Sequence, residues 1–318
     1  MMYARHVLVL LAAVASARSA QEAAVRTVLP SGSSIPLVGL GTWQSSQEQE
    51  LEASVDAALE AGYRHIDTAT LYNNEHVIGK VLKRWLQDGK LKREELFVTT
   101  KLPFFGMRPS DVPVFLNESL AKLQLDYVDL YLVHMPFAIA RDGLDAQGHV
   151  KPGAVDKSTD HLAIWKALEA EHQAGRIKDL GVSNFNESQI ARVLNNSVIK
   201  PAVLQVELHL HHQQKPLVAF CKQNNITVTA YSPLGSPGSK WISQYSGKEL
   251  PDLLGLPAVK EIAARHNKTA AQVLLHHTVY KGIVVIPKSS KPRRIRENIG
   301  VSARGPTKNE RVITVTQR

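Results

Sequence analysis

Eight times along the chain, a short run of apolar, β-type residues is followed by a stretch with the apolar period of a helix. The strand-like runs are residues 38–43, 65–68, 96–102, 128–134, 180–185, 203–209, 226–231 and 283–287. The helical stretches between them are 47–61, 75–86, 110–123, 161–174, 188–194, 213–224, 257–266 with 269–280, and 292–298. A helix after every strand brings each new strand back parallel to the last, and eight such units are the arithmetic of a parallel (β/α)8 barrel. The runner-up, a doubly wound open sheet, lacks its nucleotide fingerprint: Gly39-Leu40-Gly41 continues into Thr42-Trp43-Gln44 with no third glycine. A small hairpin, 25–29 with 35–38 joined by Pro30-Ser31-Gly32-Ser33, is expected ahead of the barrel. Two connections are long, 135–160 and 234–256, and both leave the C-terminal ends of strands, where a barrel carries its chemistry.

A chain of 318 residues with 44% apolar content can bury one large core, so no second domain is required. The net charge of +9 calls for an anionic partner. Apart from one cluster near residue 291 the basic residues are scattered, and no basic face with interleaved aromatics points to nucleic acid. The single cysteine, Cys221, excludes an intrachain disulfide framework and offers no zinc spacing. Residues 1–19 have the layout of a secretory signal peptide: Arg5 and His6, an apolar run over 7–15, then small residues with cleavage points after Ala17 or Ser19. A secretory location is expected from it, the alternative being an apolar extension on a cytosolic protein. Five Asn-x-Ser/Thr sequons, at Asn117, Asn186, Asn195, Asn225 and Asn267, are compatible with that route. No other stretch is long and apolar enough to span a membrane.

Three polar residues end successive strand-like runs: Asp67, then Lys101, then His134, at separations of 34 and 33 residues, about one βα unit each. Tyr72 follows in the turn after Asp67. Singly, Asp67 reads as a helix cap, Lys101 as a rim cation and His134 as a core histidine. Together, on strands ~4.8 Å apart, their side chains should converge on one mouth. The chemistry such a group suits is proton donation to a carbonyl oxygen. A tyrosine of pKa ~10 gives up its proton poorly, a buried ammonium should lower that value, and a carboxylate keeps the ammonium charged. Tyr72 is then the acid, Lys101 its tuner, Asp67 the partner of Lys101, and His134 orients the carbonyl or helps relay the proton. No metal is called for, but a proton donor reduces nothing by itself, so a hydride source is implied.

The second half of the chain offers a seat for that source. Ser183 and Asn184 end the fifth strand, Gln205 lies in the sixth, and Tyr231-Ser232-Pro233-Leu234-Gly235-Ser236 ends the seventh with an aromatic face and hydroxyls. After the eighth comes a basic run, Ile286 to Asn298, that opens a helix, a feature suited to phosphate, the alternatives being a solvated charge run or a localisation signal.

These motifs occur in an order and at a spacing that resemble the aldo-keto reductases from about residue 27 to 300. The resemblance implies that Asp67, Tyr72, Lys101 and His134 form the family's catalytic tetrad and that the cofactor is NADPH. It further implies nicotinamide contacts from Ser183, Asn184 and Gln205, with Tyr231 stacked on the ring and Gly41, Thr42 and Trp43 beside it. Ser232, Leu234 and Ser236 match the pyrophosphate loop. Lys288, Ser289 and Arg294 match the grip on the 2′-phosphate, and Glu297 and Asn298 match adenine contacts. Trp43 and His134 would also face the substrate. The chain departs from the family at Met135, where many members carry tryptophan, and over 301–318, which lacks the family's closing helix and reads as an irregular tail. The segment from Lys101 to Pro109 is similar to the invertebrate branch. The function expected is NADPH-dependent reduction of an aldehyde, ketone or sugar carbonyl by a monomer. The alternative is an NADPH-binding sensor or regulatory protein without turnover, on account of the altered terminus.

Overall fold

A computed structural model describes residues 25–145, 150–237, 250 and 252–301. A hairpin of β1 (Arg26–Val28) and β2 (Ser34–Pro36) comes first. The barrel strands are β3 (Leu40–Gly41), β4 (His65–Asp67), β5 (Phe97–Leu102), β6 (Val128–Val133), β9 (Ile177–Ser183), β10 (Val203–Glu207), β11 (Thr227–Tyr231) and β12 (Val284–Val285). All eight pair in parallel and, but for a short excursion after β6, in chain order. The sheet closes because Gly39 N–H donates to the Val285 carbonyl (2.8 Å) and Val285 N–H to the Leu37 carbonyl (2.8 Å). The expected (β/α)8 barrel is therefore the fold.

Burial explains why such short segments hold as strands. All six residues of β5, FVTTKL, are buried, so the strand is packed from both sides as a parallel barrel demands. The helices are α1 (Glu48–Glu60), α2 (Glu75–Gln87), α3 (Asp111–Leu123), α4 (His161–Gln173), α5 (Glu187–Asn196), α6 (Lys215–Gln223), α7 (Pro257–Arg265), α8 (Ala270–Val279) and α9 (Pro292–Ile299). In α2 the buried set Val77, Ile78, Val81 and Leu82 forms one stripe facing the sheet. Gly79 lies beside it, where a Cβ would come within 2.1 Å of the Lys122 carbonyl, so the absent side chain is what lets α2 and α3 approach. The first hairpin covers the floor of the barrel: Leu29 and Ile35 are buried, and the Ser33 hydroxyl donates to the Asp179 carboxylate.

The structure differs from the sequence expectation in three places. The fifth barrel strand begins at Ile177 rather than 180, because Ile177 pairs with Val128 although polar Lys178 and Asp179 follow it. The first and eighth strands are only two residues each. The long connection after β6 carries a small hairpin of its own, β7 (Ala138–Ile139) with β8 (Val155–Asp156). That hairpin is tied down by Ile139 N–H to the Phe104 carbonyl (3.0 Å) and by the Arg108 guanidinium to Asp156 (2.7 Å). The expected leader at 1–19, the expected tail beyond Val301, and most of the connection after β11 lie outside the described residues. Among the described residues no helix is long and apolar enough to cross a membrane.

Candidate active site

Asp67 is the last residue of β4, Lys101 the last but one of β5, and His134 directly follows β6. Register sets their height: Asp67 pairs with Thr99, and Lys101 with Leu132. All three side chains are buried. Between β4 and α2 a short 3-10 turn, Thr70–Tyr72, swings the phenol over this end of the barrel. Its closing residue, Asn73, sits in the left-handed region (φ 51), a conformation that asparagine tolerates better than most residues.

The Lys101 Nζ donates to Asp67 Oδ1 at 2.6 Å, to the Thr68 carbonyl at 2.8 Å and to the Tyr72 hydroxyl at 3.2 Å. An ammonium has three protons, and all three are placed. The His134 ring meets the Tyr72 ring edge to face, with centroids 5.8 Å apart. Asp67 Oδ2 accepts from the Gln205 amide at 2.7 Å, so both carboxylate oxygens are engaged. The three residues singled out by their strand positions and the tyrosine of the turn thus meet at one rim, and a fifth residue, expected only for the cofactor, joins them.

Burial alone would weaken the charge on Lys101, but Asp67 and then Tyr72 outweigh it and hold the ammonium above its ordinary range. At Tyr72 burial raises the pKa and Lys101 pulls it down; burial wins and the phenol lies above its ordinary value. This corrects the expectation of a net lowering. The ammonium acts in the expected sense, but the site's low polarity is the larger effect, so Tyr72 stays protonated and available as an acid. Burial, with Lys101 second, holds His134 well below its ordinary value, so its imidazole is neutral.

A second polar cluster lies behind the first, and sequence reasoning missed it. Glu75, the first residue of α2, is buried and accepts from Thr100 Oγ1 at 2.6 Å. Ser119 of α3 lies 3.1 Å from the Thr70 hydroxyl, which also donates to the Lys101 carbonyl at 3.2 Å. Burial lifts Glu75 above the usual carboxylate range, against the hydrogen bonds from Thr100 and Ser119. The chain of contacts connects α2 and α3 to the turn carrying Tyr72 and to the backbone of Lys101. A glutamate at a helix start reads as a cap, so only the neighbours supplied by α3 reveal its burial.

The residues expected for the cofactor line the same rim. Asn184 (φ 63) donates its amide to the His134 carbonyl at 3.0 Å and accepts from the Tyr231 hydroxyl at 2.9 Å. That amide also lies 3.1 Å from the Ser183 hydroxyl and 3.2 Å from the Met135 sulfur. Thr42 donates its hydroxyl to the Asp67 carbonyl at 2.9 Å, and Trp43 follows it, half-buried. Gly41 donates to the Pro287 carbonyl (3.3 Å), and a Cβ there would come within 2.5 Å of the Ile286 carbonyl. The first strand is thereby seated against the segment that leads to Lys288.

Ser232, Gly235 and Ser236 all have positive φ (49, 76 and 51), and the two serine hydroxyls are 2.7 Å apart. Leu234 between them is half-buried against the core. At the start of α9 the Ser289 hydroxyl accepts from Lys291 N–H at 3.2 Å. Lys288 and Arg294 are exposed and, among the described residues, without a carboxylate partner, whereas Arg293 pairs with Glu297 at 3.5 Å. Two uncompensated cations at a helix start fit a phosphate group. Asn298 is buried, deeper than a surface contact with a base would suggest. Among the described residues no set of three or more His, Cys, Asp or Glu side chains is arranged to hold a metal ion.

Comparison with known proteins gives a single direction. The family model described as "Aldo/keto reductase family" matches residues 37–317. Aldo-keto reductase family 1 member A1 of Bos taurus is 45% identical over 275 residues, 86% of this chain and 83% of that protein. The Homo sapiens protein of the same name is 43% identical over 280 residues, 88% of this chain and 85% of that protein. Among solved structures, the aldose reductase of Schistosoma japonicum superposes with a TM-score of 0.78 at 40% identity, covering 87% of this chain and 86% of that one.

Proposed function

The chain belongs to the aldo/keto reductase family, oxidoreductases acting on carbonyl and alcohol groups, and from that membership we propose that it is an NADPH-dependent carbonyl reductase with Tyr72 as its proton donor. The observation that carries this reading is the Lys101 ammonium, held within hydrogen-bond reach of both the Asp67 carboxylate and the Tyr72 hydroxyl.

NADPH, when bound, supplies the hydride. Ser183, Asn184, Gln205 and Tyr231 would hold its nicotinamide, with Gly41, Thr42 and Trp43 alongside. Ser232, Leu234 and Ser236 would hold the pyrophosphate, Lys288, Ser289 and Arg294 the 2′-phosphate, and Glu297 with Asn298 the adenine. The chain's own chemistry lies at the other partner. The Tyr72 hydroxyl donates its proton to the carbonyl oxygen as negative charge develops there. Lys101 lies beside the phenolate that this leaves and stabilises it, while Asp67 keeps Lys101 charged. Neutral His134 offers a hydrogen bond that orients the carbonyl. Gln205 touches Asp67, so the amide expected to read the nicotinamide also steadies the acid end of the tetrad.

The test is NADPH oxidation with a panel of aldehydes, comparing the chain with Tyr72→Phe. The variant should lose at least ~100-fold in kcat, in line with loss of a general acid, while still binding NADPH. Equal inactivity of both proteins with cofactor binding intact would favour the alternative, a cofactor-binding protein without turnover. That alternative draws on the terminus at 301–318, expected from the sequence to depart from the family, although the family model matches as far as residue 317.

A further inference from the structure

The chain contains twelve asparagines, and five of them stand in sequons. With 36 Ser and Thr among 318 residues, chance would place only ~1 of the twelve in that motif. The structure adds what the motif cannot show. All five, Asn117, Asn186, Asn195, Asn225 and Asn267, are exposed. Among the described residues none of them donates its side-chain amide, the nitrogen that would carry a sugar, to another group. Where these side chains bond at all, they use the oxygen: Asn117 Oδ1 accepts from Arg176 at 2.6 Å, and Asn186 Oδ1 from Gln189 N–H at 3.0 Å and Ser188 Oγ at 2.8 Å. Outside the motif, Asn74, Asn184, Asn196 and Asn224 each donate that nitrogen, and Asn73 is an exposed residue that does not.

Asn225 is exposed and, among the described residues, makes no side-chain hydrogen bond. It occupies the left-handed region (φ 57) in the turn between α6, which ends at Gln223, and β11, which starts at Thr227. Tyr231, at the other end of β11, faces the tetrad, so Asn225 lies at the opposite rim of the barrel. A bulky group there meets solvent, displaces no hydrogen bond and stays away from the catalytic mouth.

We infer that this protein is N-glycosylated, with Asn225 as the principal acceptor. The donor is an oligosaccharide carried on a lipid diphosphate. A bond forms between Asn225 Nδ2 and the anomeric carbon, the bond from that carbon to the diphosphate oxygen breaks, the amide gives up one proton, and the lipid diphosphate leaves. The modification requires entry into the secretory lumen, the route expected from the leader, and it is independent of the carbonyl chemistry.

The test expresses residues 1–318 in insect cells, with medium and lysate examined separately. Material is treated with peptide N-glycosidase in heavy-oxygen water and the peptides are read by mass spectrometry. The expected result is Asn225 converted to an Asp bearing heavy oxygen, a faster-running band after treatment, and an Asn225→Gln variant that runs one glycan step lower with unchanged NADPH oxidation. An unmodified Asn225 in the medium, or a chain confined to the lysate with no shift, would overturn the inference. NADPH oxidation measured on the same samples separates this outcome from failure of the carbonyl reductase reading.

Discussion

At Lys101 a full charge sits with no exposed side-chain surface, between a carboxylate at 2.6 Å and a phenol at 3.2 Å. A buried charge is tolerated only when its partners are complete, and removing one typically costs several kcal/mol. The same logic reaches one layer out to Glu75, which is buried, accepts from the Thr100 hydroxyl and has its pKa raised by that burial. Glu75→Ala would strand the Thr100 hydroxyl and open a void beneath the Tyr72 turn. We expect it to lower unfolding stability by about 2 kcal/mol and to reduce kcat more than it changes KM. Glu75→Gln keeps an acceptor for Thr100 and should restore most of both losses; thermal melts and steady-state rates on the two variants decide it. Asp67, Lys101 and His134 were legible because they end strands one βα unit apart. The Glu75 layer was not, because its meaning depends on Ser119, 44 positions away on another helix.

In the proposed reading, cofactor choice falls to α9 with the segment before it. Pro292 opens it with φ already fixed, and Tyr63 tethers it from beneath by donating its hydroxyl to the Ile295 carbonyl at 3.0 Å. Arg294 projects from that helix exposed, so it can meet a phosphate without breaking any internal pair. Arg294→Ala should weaken NADPH by about 2 kcal/mol, roughly 30-fold in Kd, and leave NADH nearly unchanged. Fluorescence titration with both nucleotides measures this, and equal losses would remove the role given to the basic run. Most helices were readable to within a few residues from their apolar period and flanking polar residues. The hairpin of β7 and β8 was not, since two residues per strand are too few for any period. It holds through contacts to Phe104 and Arg108 on a neighbouring loop. The start of β9 was masked in the same way, because Asp179 faces the Ser33 hydroxyl inside the floor where the sequence shows only a charge.

For the whole molecule, acid should be the effective denaturant. Burial, set against the nearby Asp67, lowers His65 to about 4, and His134 shifts in the same direction. An unfolded chain takes up a proton at each near pH ~6.5. Between that value and the folded one the unfolded state binds more protons, so stability falls as pH drops through this window. For His65 alone the loss approaches ~3 kcal/mol. The urea midpoint should fall between pH 7 and pH 4.5, and His65→Gln should flatten part of that slope; identical slopes would exclude this account. A last consequence follows from the seam at which Val285 accepts a backbone hydrogen bond from Gly39 and donates one to Leu37. While the chain emerges from the ribosome, the first strand waits for a neighbour that is translated almost 250 residues later. Until then the nascent protein has a raw sheet edge and an unfinished barrel mouth, so competence to reduce anything arrives all at once, near the end of synthesis.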